Sequence, residues 1–177
     1  FPNDASIGFN NYGVEGGTVE ELKDEILDDE EGKGPKDKDG KRYGGETEGE
    51  LRYDTSYDME CKETQGKCIC TIEDISFTTS LEIVFTLSEW SKPEGIGEDT
   101  QKSWDSFMKG LKTHEIGHAK IFIKWRAILE ERLKKVVEEL KGKSFEGKDC
   151  KEAKEKAEGE IQERADKILK DTIEECG

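Results

Sequence analysis

The sequence predicts an α+β fold, a small antiparallel β-sheet packed against a long antiparallel helical hairpin with a His-Glu-x-x-His motif on its first long helix. Three observations predict it. The run Cys68–Trp90 is rich in β-branched and aromatic residues, and Leu81, Ile83, Phe85 and Leu87 alternate with Glu82, Val84 and Thr86. From about Thr100 to Leu140 apolar residues recur at the three- and four-residue spacing of a buried helical face. A second helical pattern follows after a short break, and helices joined so closely are expected to pack antiparallel.

Each element has its own signal. In "GGTVEELKDEILDD", Thr18 can cap the first amides while Glu21 reaches back, so a short helix is expected with Val19, Leu22 and Ile26 as its buried stripe. The stretch "EEGKGPKDKDGKRYGG" mixes Gly, Pro and alternating charge and reads as a solvated connector. Thr47–Asp58 is compatible with a strand that Gly49 weakens, and "SKPEGIGED" closes the sheet region after the long strand, which a break near Thr79 would divide in two. On the first long helix Trp104, Phe107, Met108, Leu111, Ile121, Phe122, Trp125, Leu129, Leu133 and Val136 form the apolar face. "KGKSFEGKDC" reads as a turn. The last helix, about Cys150 to Glu175, has a thin seam of Ala153, Ala157, Ile161, Ala165, Ile168 and Thr172. With no internal repeat, residues 1–177 are expected to form one domain, 1–99 giving the short helix and sheet and 100–177 the helical hairpin.

Composition narrows the function classes. Of the 177 residues 40% are charged and 32% hydrophobic, yet three Trp, four Tyr and seven Phe argue against a disordered chain. A formal net charge of -15 opposes phosphate binding, so no nucleic-acid partner is expected. No apolar run approaches the ~20 residues of a membrane span. "FPNDASIGFNNYG" lacks the basic start and apolar centre of a signal peptide. Five cysteines in so polar a chain suggest disulfides and an oxidising compartment, and so a mature secreted or periplasmic protein.

The spacing of Cys61, Cys68 and Cys70 lacks the paired knuckles of a structural zinc site. Cys150 and Cys176 lie ~26 helical residues apart, nearly 40 Å at ~1.5 Å per residue, too far for a bond to each other. Cys150 is therefore expected to bond back to Cys61, Cys68 or Cys70. A second bond inside that cluster, or to Cys176, would leave one thiol over.

Both histidines of the chain fall within "LKTHEIGHAKIF", at His114 and His118, with Glu115 between them. Two histidines scattered at random over such a chain would fall four apart about once in ninety trials, and an acid after the first makes the pattern rarer still. Four apart on a helix, they project from one face. Two imidazoles so placed can grip Zn²⁺, with Glu115 as the base that activates water. The bland alternative is a pair of core histidines on an amphipathic helix. A catalytic zinc also needs a third protein ligand, and no third histidine exists here. If the hairpin turns at about Lys141–Lys148, His118 faces the neighbourhood of Asp171 and His114 that of Glu175. Asp171, Glu174, Glu175 and Cys176 are then the candidates, beside their plainer reading as exposed acids or a disulfide cysteine.

Several segments together resemble a family. "NNYGVEGGTVEELKDEI", "GPKDKDGKRYGGET", the cysteine-led strand ending in "LSEW", "SWDSFMKGLKTHEIGHAKI" and the "DC" opening the last helix are similar, in that order, to the bacterial predicted secreted zinc-dependent proteases, a domain of otherwise unknown function. The resemblance spans nearly the whole chain and is most specific at Trp104 and His114–His118. It implies a secreted or periplasmic metallopeptidase with a peptide or protein substrate. That pattern has a tryptophan where this chain reads "TEGELRYD", and a tail with a Tyr-Asp pair and a further histidine, its natural third ligand, past the point where this chain reads "IEECG". Two readings follow: a zinc metallopeptidase with His114 and His118 as ligands and Glu115 as base, or an inactive, protease-like binding module of the envelope. Substrate specificity and oligomeric state have no signal in the sequence.

Overall fold

Among the described residues the order of elements is β1 (Ala5–Val14), α1 (Val19–Leu27), β2 (Gly45–Thr64), β3 (Lys67–Trp90), α2 (Glu98–Leu140), β4 (Ser144–Gly147) and α3 (Cys150–Cys176). The computed structural model describes residues 5–176, the side chain of Cys176 excepted. β2 and β3 are joined by Gln65 and Gly66, both at positive φ (52° and 78°), as a two-residue hairpin turn matched to strand twist requires. β3 is one unbroken strand of 24 residues.

The strand order is β1-β3-β2, with β4 also on β3. β4 is antiparallel, pairing Cys68 with Gly147 and Thr71 with Ser144. β1 runs parallel to β3. Gly8 lies against Val84, Phe9 stacks on Phe85 at 5.5 Å between ring centroids, and the Ser91 amide donates to the Val14 carbonyl at 3.0 Å. The sheet is thus mixed and four-stranded rather than a small antiparallel one, because β1, which the sequence pattern did not mark, joins it in parallel.

The chain forms two compact units. The first comprises the chain up to Glu50 with Glu82–Phe122, the second Leu51–Leu81 with the chain from Ile123 onward.

In the first unit Val14, Leu22 and Ile26 make a small core against which Tyr12, Trp90 and Trp104 pack. The Trp90 ring nitrogen donates to the Gly16 carbonyl at 3.0 Å. α1 begins with the expected capping box: Thr18 Oγ1 accepts from the Glu21 amide at 3.2 Å, and the Glu21 carboxylate accepts from the Thr18 amide at 3.3 Å. Leu22 and Ile26 are buried, but Val19 is 50% exposed and leaves the expected stripe. α2 rests directly on the backbone of β2. A Cβ on Gly49 would stand 2.4 Å from the Phe122 ring, and one on Gly44 2.7 Å from Phe107. The glycine that weakens the strand pattern is the space an aromatic ring occupies.

In the second unit Ile72, Ile75, Val136, Leu140, Ala157 and Ile161 form the core. Disulfides join Cys61 to Cys70 and Cys68 to Cys150, within the pairings left open above. The expected helical hairpin is not what forms. α2 is one long helix of 43 residues, and the segment read as a turn returns to the sheet as β4. Gly142, at φ +80°, redirects the chain; its amide donates to the Ile72 carbonyl at 2.7 Å, and the Ile72 amide donates to the Lys143 carbonyl at 3.0 Å. The free edge of β3 offers these partners, and a solvated turn would not. The pairing inferred from a turn at 141–148 fails with it. Arg132 pairs with Glu175 and donates to Thr172 Oγ1 at 3.1 Å, while Arg164 pairs with Glu139.

Candidate functional site

His114 and His118 project from one face of α2, both exposed, with their Nε2 atoms 3.0 Å apart and the rings edge-on at 79°. At that separation the two nitrogens share at most one proton. The distance is close to the ~3.3 Å between two nitrogens on a tetrahedral zinc at the usual ~2.0–2.1 Å bond length.

Glu115 is only 3% exposed. A buried carboxylate needs a donor, and Thr47 on β2 supplies it: its Oγ1 lies 2.6 Å from Glu115 Oε2 and 3.2 Å from the Glu115 carbonyl oxygen. A hydroxyl has one proton, and the shorter contact takes it. Ala119, one turn further along α2 and fully buried, keeps this face small.

The three residues open onto a cleft of about 300 Å³ that also includes Asp37, Tyr43, Glu46 and Thr47. The segment read as a solvated connector builds one wall. Asp37 Oδ1 accepts from the amides of Asp39 and Lys41, both at 2.9 Å, and Oδ2 accepts from the Tyr43 hydroxyl at 2.9 Å. Gly40, at φ +82°, closes this turn, where a side chain would be strained. Burial pushes the Asp37 carboxyl up, but these hydrogen bonds outweigh it and hold the group below its ordinary range. The bond to Asp37 raises the Tyr43 hydroxyl. Burial, then the nearby Glu48 and Glu115 carboxylates, raise Glu46. Lys36 spends its ammonium on the Asp29 carbonyl at 3.1 Å. The cleft therefore favours a cation.

The sequence-predicted trio lines one cleft, with the two Nε2 atoms 3.0 Å apart. Asp171, Glu174 and Glu175 belong to the end of α3 in the second unit, where Glu175 pairs with Arg132 and Glu174 with Lys170 at 3.7 Å. The Cys176 side chain lies outside the described residues. Among the described residues, the His, Cys, Asp or Glu ligand atoms that gather in threes within 4.8 Å are those of Cys61, Cys68 and Cys70, which are engaged in disulfides. Asp37, Tyr43, Glu46 and Thr47 were not marked from the sequence. The signal available was Tyr43, an aromatic inside a charged run, just ahead of the Gly44-Gly45 pair and Thr47.

The family model of a bacterial protein of unknown function, DUF922, matches residues 9–174. No curated protein and no solved structure matches the chain. Among the described residues no helix is long and apolar enough to cross a membrane.

Proposed function

The chain belongs to this bacterial family of unknown function, and from that premise we propose that it is a zinc-dependent hydrolase of peptide bonds acting in a secreted or periplasmic setting. The observation that carries the reading is the 3.0 Å approach of the two Nε2 atoms beside a buried, hydrogen-bonded Glu115. The two disulfides support the oxidising location.

His114 and His118 would hold the ion, with the remaining protein ligand to come from the acidic wall of the cleft, Asp37 or Glu46. Zinc bound there would supply Lewis acidity, making water a nucleophile near neutral pH and polarising a scissile carbonyl. Glu115 takes the proton from the attacking water and returns it to the leaving amine. Thr47 holds the carboxylate in place for both transfers and prevents its collapse onto the helix backbone.

Metal analysis of protein purified without a histidine tag tests the ligands. About one equivalent of zinc, lost in His118→Ala, is expected; less than about a tenth of an equivalent in both proteins refutes the assignment. Peptide hydrolysis lost in Glu115→Gln, with the fold retained, tests the base. The second reading, a binding module without hydrolysis, is favoured by the absence of a gathered third ligand among the described residues. It predicts chelator-insensitive peptide binding and no turnover.

A further inference from the structure

The first unit has a second cavity, of about 280 Å³, between α1 and α2. Val19, Leu22 and Ile26 line one side, Trp104 and Phe107 the other, and only Lys23 and Ser103 bring polar side chains to it. Its rim leaves apolar surface in water: Val19 is 50% exposed, Leu27 and Phe107 38% each. Val19, Leu27 and Phe107 are not among the buried core residues of this unit, and none of them belongs to the chemistry at the histidines.

Three observations connect the cavity to the cleft. Phe107 and His114 are seven residues apart on α2, two helical turns, and so share a face of the helix about 10 Å apart. The strip Tyr43-Gly44-Gly45 runs from one to the other: Tyr43 and Gly45 line the cleft, and Gly44 backs onto the Phe107 ring that lines the cavity. An extended peptide advances about 3.3 Å per residue, so three residues cover that distance.

We propose that the Val19–Phe107 cavity is a specificity subsite that takes a large apolar side chain, Phe or Leu, three residues from the bond held at His114 and His118. The assignment rests on the hydrolase reading for the position of that bond. The volume holds one such side chain, and apart from Lys23 and Ser103 the lining is apolar or aromatic. Burying a phenyl group here instead of a serine hydroxymethyl favours the former by at least about 10-fold in affinity.

The test separates the two claims by measuring binding on protein that cannot turn over. Glu115→Gln protein is titrated with octapeptides of Ala and Ser carrying Phe three residues before or three residues after the centre, and with the same peptides carrying Ser there, following tryptophan emission and heat. At least 10-fold tighter binding of one Phe peptide, with an emission change from Trp104 and loss of the preference in Val19→Glu, is the expected result. Val19 is surface-exposed, so that variant should fold; Phe107→Ala, which widens the cavity, should instead shift the preference toward larger side chains. Equal affinity for Phe and Ser peptides overturns the subsite whatever the zinc content. So does a Val19→Glu protein that keeps the preference, or one that loses only a self-association seen without peptide, which would assign the cavity to a second copy of the chain. Absent zinc with an intact Phe preference leaves the subsite standing and removes the hydrolase.

Discussion

The two disulfides offer a measurement in which packing and chain entropy can be separated. Each bond joins one fully buried cysteine, Cys68 or Cys70, to one partly buried, Cys150 or Cys61. Replacing either pair by alanine therefore removes a similar amount of buried sulfur. The closed loops differ greatly, with sequence separations of 82 for Cys68–Cys150 and 9 for Cys61–Cys70. The loop-closure relation gives about 4.5 kcal/mol for the long loop and about 2.6 kcal/mol for the short one at 25 °C, a difference of about 2 kcal/mol. For a chain of this size that corresponds to roughly 4–8 °C in Tm between the two double variants. Denaturant unfolding of Cys68→Ala/Cys150→Ala and Cys61→Ala/Cys70→Ala, each with the other bond intact, measures it. The long-loop variant should be the less stable. Equal losses, or a greater loss from the short loop, would show that these bonds act through native contacts and refute the entropic argument.

Three further outcomes follow from single contacts. Gly49→Ala should destabilise by about 1–3 kcal/mol, because its methyl would lie 2.4 Å from the Phe122 ring; the ~0.5–1 kcal/mol that alanine ordinarily gains over glycine is too small to offset this. Chemical unfolding reads it, and Phe122→Leu in the same chain should recover part of the loss. Thr47→Val leaves the Glu115 carboxylate without its hydroxyl donor and should cost about 1–3 kcal/mol; under the hydrolase reading it also lowers kcat with little change in KM, and a stability equal to wild type sinks the contact. The Tyr53 hydroxyl, then Gln162, hold the Asp166 carboxyl below its ordinary 3.8. Folded protein thus binds fewer protons at this site than unfolded protein, so the contribution is full above the ordinary value and is lost as pH falls through the lowered one. Asp166→Asn should flatten the fall of the unfolding midpoint as pH drops below the ordinary carboxylate range, and an unchanged slope would show that the Tyr53 bond does not form.

Local, contiguous signals were legible in the sequence. The capping box at Thr18 and Glu21, the alternation of β3 and the apolar face of α2 each place their own bonds and buried faces within a few residues, and His114–His118 belongs to that class. What was hidden depends on partners far along the chain. β1 is rich in Asn and Gly and buries only Val14 fully, so no alternation betrays it; β3 supplies its ladder. β4 is four residues long, below any period, and forms because β3 has an unpaired edge beside a disulfide. That excursion also undid the pairing that aimed the acids of α3 at the histidines. Asp37 and Tyr43 were hidden by composition, since a charged Gly-Pro stretch looks the same whether it is solvated or pinned by three hydrogen bonds.

The glycines at the start of β2 and just before it have a consequence beyond packing. Gly44, Gly45 and Gly49 act as a shim of zero thickness between strand and helix, and the reach of Thr47 to Glu115 is set by that stand-off. A single methyl inserted there would lift the helix by about an ångström, enough to take a 2.6 Å contact beyond hydrogen-bonding range. The alignment of the His-Glu-x-x-His segment is thus held by residues with no chemistry of their own. Under the hydrolase reading, inactivating changes should therefore be sought on the strand as well as in the motif.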